Sequence, residues 1–154
     1  MNATLFAEAG GSEAMLRLAG AWHRRCLADE VLSHPFSHPG QHPDHIARLA
    51  AYLGEALGGP PAYTSGMGDE SQVVRMHSGN GLHEDLDRRA VEAFELALGD
   101  ANIPDTDGLH GHLRAYFAWA TGQLATHPDS DSGIPDDLAV PTWSRRGLVR
   151  APRP

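Results

Sequence analysis

Apolar residues recur every three or four positions in separate stretches of this chain, and no stretch alternates apolar with polar residues as a half-buried strand would. That periodicity confines the fold to the all-α class. Met15, Leu18, Trp22, Cys26 and Leu27 fall on one face of a helix running to about Asp29, with His23 at the edge of that face. Ile46, Leu49, Leu53 and Leu57 mark a second helix, which Gly58-Gly59-Pro60-Pro61 ends. Leu86, Ala90, Phe94, Ala97 and Leu98 define a third, closed by Gly99, and Leu109, Leu113, Tyr116, Phe117, Ala120 and Leu124 a last one. A short helix is expected from Thr4 to Ala9, broken at Gly10-Gly11, with Ser12 as the N-cap of the helix that follows.

The connections carry their own signals. Pro35, Pro39 and Pro43 interrupt the stretch from His34 to His45 and forbid one continuous helix there, while Pro43 suits the first turn of the next. Ala62 to Glu70 reads as a Gly-rich loop carrying Tyr63. From His127 the composition turns to Pro, Asp, Ser and Gly, followed by Arg145, Arg146, Arg150 and Arg153. Residues 1–126 therefore read as the folded domain and 127–154 as a partly disordered tail, with Leu138, Val140 and Trp143 able to dock on the body.

A chain of 154 residues can bury a real core within one domain. Its net charge of -8 leaves no basic stripe to displace counterions from a nucleic acid. Cys26 is the only cysteine, so no intrachain disulfide forms. The N-terminus lacks a positive region with an apolar run, and no stretch approaches the roughly 20 apolar residues of a membrane span. A cytoplasmic protein without nucleic-acid or membrane partners is expected. What stands out is ten histidines against three tyrosines and four phenylalanines.

Histidine is the commonest metal ligand, and two of the ten sit where a ligand would. His77 follows Val73-Val74-Arg75-Met76 at the end of a short helix, stopped by Gly79-Asn80-Gly81. There its backbone is held, and one ring nitrogen can donate to a nearby carbonyl while the other binds metal. His45 lies one turn before Leu49, on the apolar stripe, an unexpected place for an idle imidazole. A different reading joins His34, His38, His42 and His45 into a non-haem site for zinc, nickel or copper. The intervening prolines weaken it, as does the lack of cysteine or carboxylate in a zinc spacing.

Ala28-Asp29-Glu30-Val31-Leu32, then Phe36, then Gly58-Gly59-Pro60 with Tyr63, then Arg75-Met76-His77 form an ordered set. In these residues the chain resembles the bacterial truncated haemoglobins, most closely their second group, from about Leu5 to Leu124. The resemblance implies a two-over-two helical sandwich around a haem b, with His77 as the proximal iron ligand. It places Phe36 against the haem, and His45 and Leu49 on the distal face. His23 takes the position of a distal tyrosine, and Ala90 that of a ligand-facing tryptophan. Arg48 and Tyr63 become candidates for the propionates, and Leu53, Met76, Leu82 and Phe94 candidates to line the slot.

The expected function is binding of a small diatomic ligand such as oxygen, nitric oxide or carbon monoxide. The two departures, His23 and Ala90, open a second reading. An imidazole with a pKa near 6.5 can move a proton at neutral pH, and a methyl in place of an indole enlarges the pocket. An enzyme activating peroxide or a nitrogen oxide on a small-molecule substrate, served by a reductase, would use both. A third state has His45 or His23 binding iron directly. The protein is expected as a monomer or homodimer.

Overall fold

The computed structural model describes residues 3–33, 44–79, 81 and 83–150. Helices α1 (Leu5–Ala9), α2 (Gly11–Ala28), α3 (His45–Ala56), α4 (Glu70–His77), α5 (Glu84–Asp100) and α6 (Leu109–Leu124) follow one another, with a 3-10 turn at Thr106–Gly108. Two short antiparallel strands, β1 (Thr142–Ser144) and β2 (Gly147–Arg150), close the described chain.

Helix α2 packs against both α3 and α5, while α5 packs against α6. This is the two-over-two arrangement expected. Met15, Leu18 and Cys26 of α2, Leu53 and Ala56 of α3, Phe94, Ala97 and Leu98 of α5, and Leu113 and Tyr116 of α6 are buried in one cluster. Leu27 departs from its predicted face and is exposed, because the stripe is narrower than its spacing suggested. At the centre Phe94 stacks on Phe117, centroids 4.1 Å apart, and Trp22 meets Phe117 edge-on at 5.4 Å. Each aromatic pair contributes about 1 kcal/mol beyond its buried area.

The helix ends follow their local chemistry. The Thr4 side chain caps α1 by accepting from the Ala7 amide (3.1 Å). Gly10, at φ 118°, both ends α1 and caps α2, so Ser12 lies inside the first turn instead of at the cap. The difference arises because Gly10 alone takes the left-handed turn and the helix resumes at once. Gly58, at φ +96°, ends α3 so close to α1 that a Cβ there would meet the Thr4 side chain at 2.9 Å.

Beyond α6 the chain remains packed. Ile134 and Val140 are buried, and Trp143 lies against Tyr116 (6.1 Å) and Trp119 (5.3 Å). Arg145 pairs with Glu8 of α1 at 2.9 Å. Composition did not foreshadow the hairpin. Its partners come from helices distant in sequence.

Candidate metal centre

The short helix α4 presents His77 on its last turn. The Asp69 side chain starts the helix by accepting from the Gln72 amide (2.9 Å). The Ser78 hydroxyl and amide close it on the Arg75 carbonyl (2.7 and 3.1 Å). Gly79 and Gly81, at φ 73° and 72°, then turn the chain away, as the spacing predicts.

The His77 Nδ1 lies 2.8 Å from the Val73 carbonyl oxygen, one turn back. A carbonyl can only accept, so Nδ1 carries the proton and Nε2 keeps its lone pair for a metal. Burial drives the His77 pKa down, with His83 adding to that effect; the Val73 bond and Asp87 oppose it. A neutral ring is what coordination requires. The His77 side chain remains exposed at the surface of the described residues. Met76 beside it is 69% exposed.

His23 of α2 and His45 of α3, 22 residues apart, are joined by a 2.8 Å contact between His23 Nδ1 and His45 Nε2, their rings edge to face at 4.3 Å. One ring donates and the other accepts, whichever way the bridging proton sits. The accepting ring must then carry its own proton on its far nitrogen, while the donor's far nitrogen is bare. Two neutral imidazoles so linked can pass a proton between them. Partial burial, reinforced by Arg24, lowers the His23 pKa and favours that neutral state.

Of the other residues expected to line the slot, Leu53 and Phe94 are buried in the core, while Leu49 and Ala90 are half-buried against it. The Ala90 carbonyl accepts from Trp22 Nε1 at 3.0 Å. Both proposed propionate partners hold the 61–68 loop. Tyr63 is buried edge-on against Tyr52 (5.4 Å), and Arg48 donates to the Met67 carbonyl (2.6 Å) with its guanidinium 5.8 Å from the Tyr63 ring. Phe36 and Leu82 lie outside the described residues, as do His34, His38 and His42 of the alternative cluster. Among the described residues no three His, Cys, Asp or Glu side chains gather as a metal-binding group. His83 and His110 are bonded to Asp87 and to the Ile103 carbonyl.

A sequence model of the family described as bacterial-like globin matches residues 4–118. The chain is a bacterial-like globin. Its fold is shared by the group II truncated haemoglobin of Bacillus anthracis at 18% identity, with a TM-score of 0.70, covering 86% of this chain and 98% of that one. A thermostable haemoglobin from the actinobacterium Thermobifida fusca is 23% identical, TM-score 0.66, over 82% of this chain and 100% of its own. A haemoglobin from the thermophilic phototrophic bacterium Chloroflexus aurantiacus is 20% identical, TM-score 0.67, over 80% of this chain and 98% of its own. No curated protein matches the sequence.

As a globin the protein binds haem, and its residues fit that group. A porphyrin iron needs one strong axial ligand inside a largely apolar slot. His77 has an oriented imidazole whose Nε2 is left for a metal, and Leu49 and Ala90 are half-buried apolar residues packed on the core. No helix among the described residues is long and apolar enough to cross a membrane. Sequence reasoning missed Glu55 and Glu70, both buried acids. Glu55 accepts from the Tyr63 and Thr64 amides (3.1 and 2.9 Å) and shapes the loop after α3. Glu70 accepts from the Tyr52 hydroxyl at 2.6 Å. The available signal was an acid on the apolar side of its helix.

Proposed function

We propose that the protein holds haem b through His77 Nε2 and binds a small diatomic ligand on the opposite face, next to His45 and His23. The observation that carries this reading is the 2.8 Å bond from His77 Nδ1 to the Val73 carbonyl, which fixes tautomer and ring direction. It is the arrangement by which a ligating imidazole is oriented and made more basic. The haem supplies an iron that takes a diatomic molecule. The chain supplies the axial nitrogen, the apolar wall, and a hydrogen-bond donor from the histidine pair. Of the two propionate candidates, Arg48 retains further guanidinium donors after its bond to Met67, whereas Tyr63 is committed to the core.

A second reading rests on the His23–His45 contact. Two imidazoles that share a proton can deliver one to a bound peroxide or nitrogen oxide and take one back, which a single donor does less well. In that reading Ala90 leaves room for a substrate larger than a diatomic, and a separate reductase supplies electrons.

The experiment is a visible spectrum of the purified protein in ferric, ferrous and carbonyl forms, beside His77→Ala. The wild type is expected to show a Soret band and to retain haem through desalting, and the variant to lose it. An unchanged spectrum in His77→Ala would refute the assignment. Turnover of peroxide or nitrite by the wild type, reduced in His23→Leu and His45→Leu, would favour the second reading.

A further inference from the structure

The helix that carries His77 has only eight residues, too few to hold its shape or place alone. Among the helices its principal neighbour is α6. Most of its remaining hydrogen bonds come from one source, the segment 127–138, which lies beyond the residues matched by the family.

That segment grips α4 along its length. At the C-terminal end the Gly79 and Gly81 amides donate to the carbonyls of His127 (2.9 Å) and Pro128 (2.7 Å). In the middle Arg75 donates to the Ile134 carbonyl (3.1 Å) and pairs with Asp136. At the N-terminal end the Ser71 hydroxyl, fully buried, donates to the Pro135 carbonyl (2.6 Å) and accepts from the Leu138 amide (2.9 Å). The Glu70 amide completes the set on the Leu138 carbonyl (3.2 Å).

A segment can only brace what it touches if its own far end is held. Here it is. Val140 is 1% exposed, and Trp143 packs on Tyr116 and Trp119. Arg145 reaches Glu8 and the carbonyls of Thr106 and Asp107 (3.1 and 2.8 Å). The chain thus runs from the end of α6, along α4, and back to α1 and the turn before α6.

We propose that residues 127–138 are a positioning brace for the proximal helix, with Ser71, Arg75 and Asp136 setting where His77 Nε2 stands relative to the haem. This rests on His77 being the iron ligand, as proposed above. An imidazole held nearer to or farther from the iron pulls on it more or less strongly, and the ligand on the opposite face responds. Segment 127–138 would then tune ligand binding without touching the haem.

The test uses the full-length chain with Ser71→Ala, Asp136→Asn and, as the conservative control, Asp136→Glu. Two measurements are made. Hydrogen exchange of the α4 amides, in protein without added haem, reads the brace directly, and the iron–histidine stretching band of the ferrous haem-loaded protein reads its reach to His77. Ser71→Ala, which removes a buried hydroxyl with two bonds, is expected to speed α4 exchange about tenfold, and Asp136→Asn, at an exposed pair, about two-fold. They should also shift the stretching band, while Asp136→Glu leaves both near wild type. Unchanged exchange in both variants overturns the brace, whatever the state of the haem. Faster exchange with an unmoved band overturns its positioning role. A wild type that takes up no haem would refute the function proposed above, while exchange would still decide whether the segment holds α4.

Discussion

Replacing Glu70 by glutamine should flatten the protein's stability against pH. Glu70 is 1% exposed, and its carboxylate has one strong donor, the Tyr52 hydroxyl at 2.6 Å. Desolvation raises its pKa from 4.5 to about 7; the Tyr52 bond opposes this, and neighbouring Asp69 adds to the rise. Buried Tyr116 also lies within electrostatic reach of the site. In the unfolded chain the group ionises near 4.5, so between pH 4.5 and 7 the folded state binds more protons than the unfolded one. Stability must therefore fall as pH rises through that window, and the loss is complete above about pH 7. The interval corresponds to about 3 kcal/mol. Glutamine keeps an oxygen for Tyr52 and cannot ionise. Denaturant melts of the ferric, haem-loaded protein and of Glu70→Gln should be run from pH 4.5 to 8.5 at fixed haem, since bound cofactor shifts apparent stability. The variant should gain on the wild type progressively with pH, reaching a relative gain of order 2–3 kcal/mol at pH 8. Parallel curves would refute the reasoning and mean that the site admits enough water to ionise Glu70 freely.

The histidine pair should show coupling. His45→Leu and His23→Leu are each expected to raise the dissociation rate of bound oxygen several-fold, with the double variant well short of the product of the two, because each ring's proton depends on the other. Stopped-flow rates that multiply cleanly would remove the shared proton from the account. Ala90→Trp, placing an indole in the half-buried wall, should slow binding of an isocyanide more than of carbon monoxide; equal rates would mean that the position does not face the ligand. Cys26 is fully buried, and its thiol is pushed up to about 12, so native protein should resist a thiol reagent that labels it in denaturant. Rapid labelling without denaturant would contradict its packing.

How far these features could be read in advance depends on how local their causes are. Helical spacing determined α2, α3, α5 and α6, since an apolar stripe is a property of consecutive residues. The glycines at 58, 79 and 81 marked real chain reversals, since left-handed backbone favours glycine over any other residue. The ends of α4, and with them His77, were legible for the same reason. What the sequence left open was every contact made across the fold. His23 and His45 were each suspected of facing the ligand, but only the packing of α2 on α3 brings a nitrogen of one ring within 2.8 Å of the other's. Tyr63 and Arg48 stood out only by resemblance, and the tertiary structure adds contacts of both at the loop after α3, Tyr63 against Tyr52 and Arg48 on the Met67 carbonyl. Residues 127–154 read as a partly disordered tail, with only Leu138, Val140 and Trp143 able to dock, because composition counts only what a segment can bury by itself. Ser71, Arg75, Tyr116, Trp119 and Glu8, all distant in sequence, supply the partners it lacks. A polar side chain carries no mark of whether water or another helix will cover it. That is settled only when the elements come together.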